Sequence, residues 1–272
     1  MRWPILIGLL FGGGLFTALI VWYGAADILA GVVAIGWGIL LVSLFRFAIL
    51  VFDMLSWHVL LPREKRVPVR QLFWIRWVAD SVNTLLPVAR IGGEFLRALL
   101  LHRRGVAGAV AGASVMVDVT AGILTPFLKL ARLMERFTSV QAWTSIIGGA
   151  AALDAAVIAL YRQRRATTLC CFWRIVGWVA GTGEVWLILM LLGHPVSLTE
   201  AFVLESLGQA ARSAGFMVPG GLGIQEGGFL LIGSHIGLTP ELALSLSLIK
   251  RGRELIIGIP GLIAWQIAEG RG

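Results

Sequence analysis

LLPVARIGGEFLRALLL, residues 85–101, and MVPGGLGIQEGGFLLIG, residues 217–233, repeat one pattern within this chain of 272 residues. In each, a proline follows an apolar run and a glycine-rich break comes next. A glutamate then stands seven residues after the proline, Glu94 after Pro87 and Glu226 after Pro219. A second apolar run follows. Proline removes a backbone donor and glycine carries the largest entropy loss, so both interrupt helices. A carboxylate in hydrocarbon is costly and marks a pathway or a site. Interrupted segments at matching positions of two halves point to a transporter's binding centre. The pattern therefore predicts a membrane carrier whose polar centre is built from two half-sites.

Composition agrees. Apolar residues make up 58% of the chain and charged residues 14%, and the mean hydropathy is +0.87. A soluble domain holds roughly 45–50% apolar and about 25% charged residues. The chain reads as an all-α polytopic membrane protein. At about 20 residues per span it holds roughly 6–8 spanning or half-spanning helices, with no room for a separate soluble domain. The net charge of +8 does not point to nucleic acid. The basic residues sit in short loops beside apolar runs, as in cytoplasmic loops, and no wet basic face with interleaved aromatics is present. Cys170 and Cys171 are adjacent in an apolar run and read as packing residues. The first apolar run lacks a small-residue cleavage site and ends at Trp22 and Tyr23, so it reads as a retained helix.

Apolar runs cover 4–23, 31–61, 106–128, 140–161, 169–193 and 240–267, and two broken units cover 71–101 and 200–237. Arg2 and the loops PREKRVPVR (62–70), HRR (102–104) and RQRR (162–165) are basic and belong to the cytoplasmic side. GAAD (24–27) and GHPVSLTE (193–200) belong outside. Each broken unit then returns to the side it came from, the first to the cytoplasmic face and the second to the outer face. That is the behaviour of re-entrant helical hairpins that enter from opposite faces and meet near the midplane as an inverted repeat. The expected fold is about six spanning helices plus two such hairpins in a single integral membrane domain, 1–272, with cytoplasmic termini. KLARLMER (129–136) disagrees, because it would lie outside although it is basic.

The repeat continues past the breaks. Asp118 stands as far beyond Pro87 as Lys250 does beyond Pro219. Opposite charges at equivalent positions of related helices are expected to pair, with Arg251 or Arg253 as substitutes for Lys250. In the first unit, Arg90, Glu94 and Arg97 fall on one helical face. They form either a headgroup site or an internal ion-pair network. In the second, Glu205, Gln209 and Arg212 share a face, and Glu226 opens a half-helix whose N-terminus suits an anion or is capped by Glu226 itself. In the last run, Lys250, Arg253 and Glu254 share a face and either line a wet cavity or snorkel to an interface. Arg46, Asp53, Asp154, Arg174 and Glu184 are candidates for pathway residues as well, although a local partner or interface position explains most of them. The histidines lack ligand spacing, and no phosphate loop, Ser/His pair or paired acids of a hydrolase appear. No metal, cofactor or enzymatic activity is expected.

SVNTLLPVARIGGEFLRALLL (81–101), SVMVDVTAGILT (114–125), ESLGQAARSAGFMVPGGLGIQEGG (205–228) and LSLIKRGRELIIGIPGLIAWQ (246–266) carry a resemblance. They resemble the membrane domain of the lysylphosphatidylglycerol synthase family, its flippase part, and within it the hopanoid-biosynthesis-associated proteins of the bacterial inner membrane. The resemblance spans nearly the whole chain and is strong in 71–126 and 173–267. The middle, about 127–168, is shorter than the family pattern. The resemblance implies lipid handling: the domain moves an aminoacylated phospholipid from inner to outer leaflet in that family. The family's soluble aminoacyl-transferring domain has no counterpart in this sequence, so no synthase activity is implied. Matched by motif, Arg90, Glu94, Arg97, Asp118, Arg212, Glu226, Lys250, Arg251, Arg253 and Glu254 become the expected translocation residues. The expected partners are a hopanoid or phospholipid and lipid-biosynthesis enzymes. Small-residue faces permit a homodimer. A non-transporting accessory protein is the alternative, and an intramembrane lipid-modifying enzyme a more distant one, since no nucleophile stands beside Glu94 or Glu226.

Overall fold

The computed structural model describes residues 2–62, 67–86, 92–124, 150–214 and 218–269. Pro87, Arg90, the KLARLMER segment and the first part of the 140–161 run lie outside the described residues. The described chain is all-α. Its helices are α1 (Arg2–Trp22), α2 (Ala25–Ala34), α3 (Gly38–His58), α4 (Val69–Leu85), α5 (Gly92–Arg103), α6 (Gly108–Leu124), α7 (Ala150–Arg162), α8 (Arg164–Leu191), α9 (Leu198–Ala214), α10 (Ile224–His235) and α11 (Pro240–Glu269).

Glycine sets the interruptions. Gly24 (φ +89) separates α1 from α2, which are bent by 90°. The run expected to be continuous over 31–61 is divided. α2 ends at Ala34, Gly36 takes a φ of +48, and α3 begins at Gly38. That backbone conformation costs glycine little and other residues much. The second broken unit is interrupted where the pattern places it. α9 ends at Ala214, a 3₁₀ turn covers Pro219–Gly221, and α10 starts at Ile224. Gly220, Gly221 and Gly223 all have positive φ there. In the first unit, α4 and α5 stand on either side of 87–91.

The repeat is visible in the element boundaries. α5 and α10 are each 12 residues long. Gly105 (φ +87) follows α5 as Gly237 (φ +79) follows α10. α6 then begins at Gly108 and α11 at Pro240. Each pair is separated by 132 positions, the distance from Gly92 to Ile224. α5 packs along α6, and α10 along α11. α9 also packs antiparallel against α10. A Cβ on Gly208 would lie 2.8 Å from the Phe229 ring, and one on Gly228 would lie 2.6 Å from the Ala211 Cβ.

The chain forms two compact units. The first unit comprises Met1–Phe47, Ser81–Arg90 and Val179–Gly272, and its core includes Val42, Ile188, Leu189, Leu204, Phe229 and Leu246. The second comprises Ala48–Asp80 and Ile91–Trp178, and its core includes Leu60, Ala113, Val117, Leu153, Leu160 and Cys170.

The distribution of polarity is the reverse of a water-soluble protein's. Leu10 is 70% exposed and Trp37 86%, whereas Arg97, Asp118 and Glu226 are 0% exposed. An apolar exterior over charged interior groups suits a hydrocarbon surrounding. By length and composition, α3 and α8 are able to cross a membrane, and the bent α1–α2 pair makes a third span if counted as one. α6 is apolar but shorter. α11 is 30 residues long but carries the KRGRE segment in its middle.

Candidate functional site

Each unit holds one buried cluster of paired charges. In the second unit the centre is Asp118, in the middle of the otherwise apolar α6. Three arginines from three helices converge on it. Arg174 of α8 grips it with two nitrogens, Nε donating to Oδ1 at 3.1 Å and Nη2 to Oδ2 at 2.6 Å. Arg97 of α5 donates Nη2 to Oδ2 at 2.8 Å, and Arg76 of α4 reaches the same oxygen at 3.4 Å. The Ser56 hydroxyl of α3 donates at 2.7 Å.

Two further carboxylates complete this cluster. Glu94 takes the other terminal nitrogen of Arg97 at 2.5 Å, across one helical turn. Asp53 takes Arg174 at 3.0 Å and Arg76 at 3.4 Å. The Arg97 guanidinium also lies 4.4 Å from the centre of the Trp57 ring, whose N–H donates to the Ser114 hydroxyl at 3.0 Å. Among the described residues, three arginines thus face three carboxylates. Ionised guanidinium–carboxylate forks are the strongest pairs available to protein side chains, and inside hydrocarbon an unmatched member is very costly.

In the first unit the charges sit mainly on α11 and reach out to neighbouring helices. The Lys250 ammonium donates to Glu205 of α9 at 2.5 Å and stands 5.7 Å from the centre of the Phe229 ring. Gln209, one turn after Glu205, donates to it at 3.1 Å. Arg253 pairs with Glu184 of α8 at 2.8 Å. Glu254 pairs with Arg212 of α9. Arg251 donates to Glu226 at 3.0 Å and to the Gly220 carbonyl in the break at 2.8 Å. Among the described residues, four cations meet four carboxylates.

Glu226 caps its own helix. Its Oε2 accepts the Gly223 N–H at 2.7 Å, and its Oε1 accepts the Ser247 hydroxyl at 3.0 Å. Of the two readings left open for Glu226, the geometry takes the cap, with Arg251 as its counter-ion. The snorkelling reading of KRGRE is overturned: Lys250, Arg253 and Glu254 are buried, 4%, 6% and 8% exposed.

Asp118 and Lys250, expected to pair with opposite charges, each have such partners inside their own unit. Asp118 has both oxygens on arginines, and Lys250 is taken by Glu205. Each charge finds its partners within its own unit. Glu94, Arg97, Asp118, Arg212, Glu226, Lys250, Arg251, Arg253 and Glu254 all belong to one cluster or the other, and Arg90 lies outside the described residues. Sequence reasoning underweighted Asp53, Arg174 and Glu184. The signal that marks them is a single ionisable residue inside an apolar helix, the same signal that marks Asp118. Arg76 carries the same signal, an ionisable residue within the broken unit 71–101. Buried Nε donors of Arg76, Arg97, Arg212 and Arg253, and the carbonyl oxygen of Gln225, have no hydrogen-bond partner among the described residues. Both clusters thus keep spare polar capacity.

A family model described as the lysylphosphatidylglycerol synthase TM region matches residues 5–165 and 127–261. The two matches overlap over residues 127–165. No curated protein and no solved structure matches the chain. With matches covering most of its length, broken helices and charges buried beneath an apolar exterior, the chain belongs to the family of the lysylphosphatidylglycerol synthase transmembrane region.

Proposed function

We propose that the protein is a lipid flippase of the bacterial inner membrane, moving a phospholipid or hopanoid between leaflets, and that it is not an enzyme. The observation that carries this reading is one buried ion-pair cluster in each unit, the two sharing the equivalent positions Glu94/Glu226 and Asp118/Lys250 of the 132-residue repeat. A headgroup entering such a cluster exchanges one set of ion pairs for another. Nothing has to be left uncompensated when the site is empty. The unpartnered arginine Nε donors supply hydrogen bonds for headgroup oxygens. The loop charges support re-entrant hairpins at 71–101 and 200–237, an inverted repeat within a single membrane domain of about six spans, and cytoplasmic termini.

The test is reconstitution of the purified chain in liposomes with a fluorescent phospholipid or labelled hopanoid in one leaflet. The expected result is leaflet exchange that Glu94→Gln and Arg212→Ala each reduce at least roughly 100-fold, a loss of about 3 kcal/mol of transition-state stabilisation. Both variants should insert and keep their helix content. Wild-type exchange rates in either folded variant would remove its residue from the translocation path. The mutual saturation of the ion pairs also favours a second reading, in which the clusters are struts of an accessory protein that holds lipid-biosynthesis enzymes at the membrane. Co-purification of such enzymes, with no exchange of either lipid, would select it.

A further inference from the structure

Arg70 and Arg104 stand apart from the paired interior charges. Both are exposed, and neither forms an ion pair among the described residues. Together with Pro68, Gln71 and Trp74 they line a half-open cavity of about 470 Å³ in the second unit. Among the described residues, no carboxylate lines it.

The cavity lies where α4 begins and α5 has ended. The Pro68 carbonyl accepts the N–H groups of Gln71 and Leu72 at 2.8 and 3.1 Å, which starts α4. The N–H groups of Val69 and Arg70, in that first turn, have no acceptor within the helix. Arg70 and Trp74 are one turn apart and share a face. Opposite them, Gly105 (φ +87) closes α5, its N–H donating to the His102 carbonyl at 2.9 Å. That closure places the Arg104 guanidinium 5.8 Å from the centre of the Trp74 ring. Both arginines belong to the basic loops that the charge bias assigns to the cytoplasmic side. A tryptophan flanked by arginines is also the composition of a membrane–water interface, where anionic headgroups lie.

We propose that this cavity is a binding site for a phosphate oxyanion in a net-negative headgroup or in free solution. Arg70, Arg104 and the first turn of α4 supply the donors, and the Trp74 ring supplies the wall. The proposal does not depend on the transport reading, since it concerns residues outside both charge clusters.

Native mass spectrometry of the detergent-purified full chain provides the test, with dioleoylphosphatidylglycerol, dioleoylphosphatidylcholine and inorganic phosphate as probes. Phosphatidylglycerol should bind more tightly than phosphatidylcholine. The double variant Arg70→Gln/Arg104→Gln should lose roughly ten- to thirty-fold in affinity for it. Arg104→Lys, which keeps the charge, should retain most of the affinity. Displacement of phosphatidylglycerol by millimolar phosphate would support the site with free phosphate as its ligand, and resistance to displacement would support it with the lipid headgroup. Equal binding of the two lipids, or wild-type affinity in the double variant, would overturn the proposal.

Discussion

Replacing Asp118 by Asn keeps the shape of the side chain and removes its charge. Three arginines then face two carboxylates, Asp53 and Glu94, inside α3–α8. Arg174 suffers most, because its two-nitrogen grip on Asp118 at 3.1 and 2.6 Å loses the anion. Arg97 is 0% exposed and keeps only Glu94, on its own helix. At an effective dielectric near 20, each pair at about 4 Å is worth roughly 4 kcal/mol of Coulomb energy. Most of that is offset by the desolvation of Asp118 itself. The net loss on breaking a buried pair is about 3–5 kcal/mol, and that is the expected destabilisation.

The cluster also predicts its own repair. Asp118→Asn combined with Arg97→Met restores equal numbers of cations and anions, two of each. The double variant should regain about 1–3 kcal/mol of coupling relative to the sum of the singles. Recovery will be incomplete, because Arg97 also stacks on Trp57 at 4.4 Å, a contact worth about 1–2 kcal/mol when desolvated. Equilibrium unfolding in mixed micelles at increasing SDS fraction, followed by far-UV circular dichroism, measures all four corners of the cycle. A single Asp118→Asn variant within about 0.5 kcal/mol of wild type would refute the reasoning. So would a double variant that shows simple additivity.

Two further variants probe the first unit, measured in the same unfolding experiment. Gly208→Ala places a Cβ 2.8 Å from the Phe229 ring and should cost about 1–3 kcal/mol by overpacking. Adding Phe229→Leu should return part of that cost, and a Gly208→Ala variant as stable as wild type would mean that α9 and α10 separate freely. Glu226→Ala removes the acceptor of Gly223, Ser247 and Arg251 together, so a loss of about 2–4 kcal/mol is expected. A loss no larger than that of Ser247→Ala would show that the cap and counter-ion roles are not cooperative.

Which features were legible from sequence follows from the range of the forces involved. Pro219, Gly220, Gly221 and Gly223 act on their own backbone, so the break after α9 could be placed without neighbours. The division at Gly36 was missed because Gly31, Gly36 and Gly38 lie in one apolar run and nothing local tells which of them takes a positive φ. The 90° bend at Gly24 was not legible either, because the hydropathy of an apolar run carries no direction. Glu94 with Arg97, and Gln209 with Glu205, were readable because helical periodicity alone brings residues three or four apart together.

The sequence by itself determined that charges lie inside apolar helices, that two breaks repeat, and that Asp118 and Lys250 occupy equivalent positions. Only the tertiary structure decided which charges pair. Arg174 and Asp53 are 121 residues apart in the chain, and Arg212 and Glu254 are 42 apart. Such partners are selected by helix packing, since a buried charge must find whichever opposite charge its neighbours present. That is why Asp118 is met by arginines from α4, α5 and α8, none of which its sequence neighbourhood singles out. Local chemistry tells where a charge is expensive, and packing alone tells what compensates it.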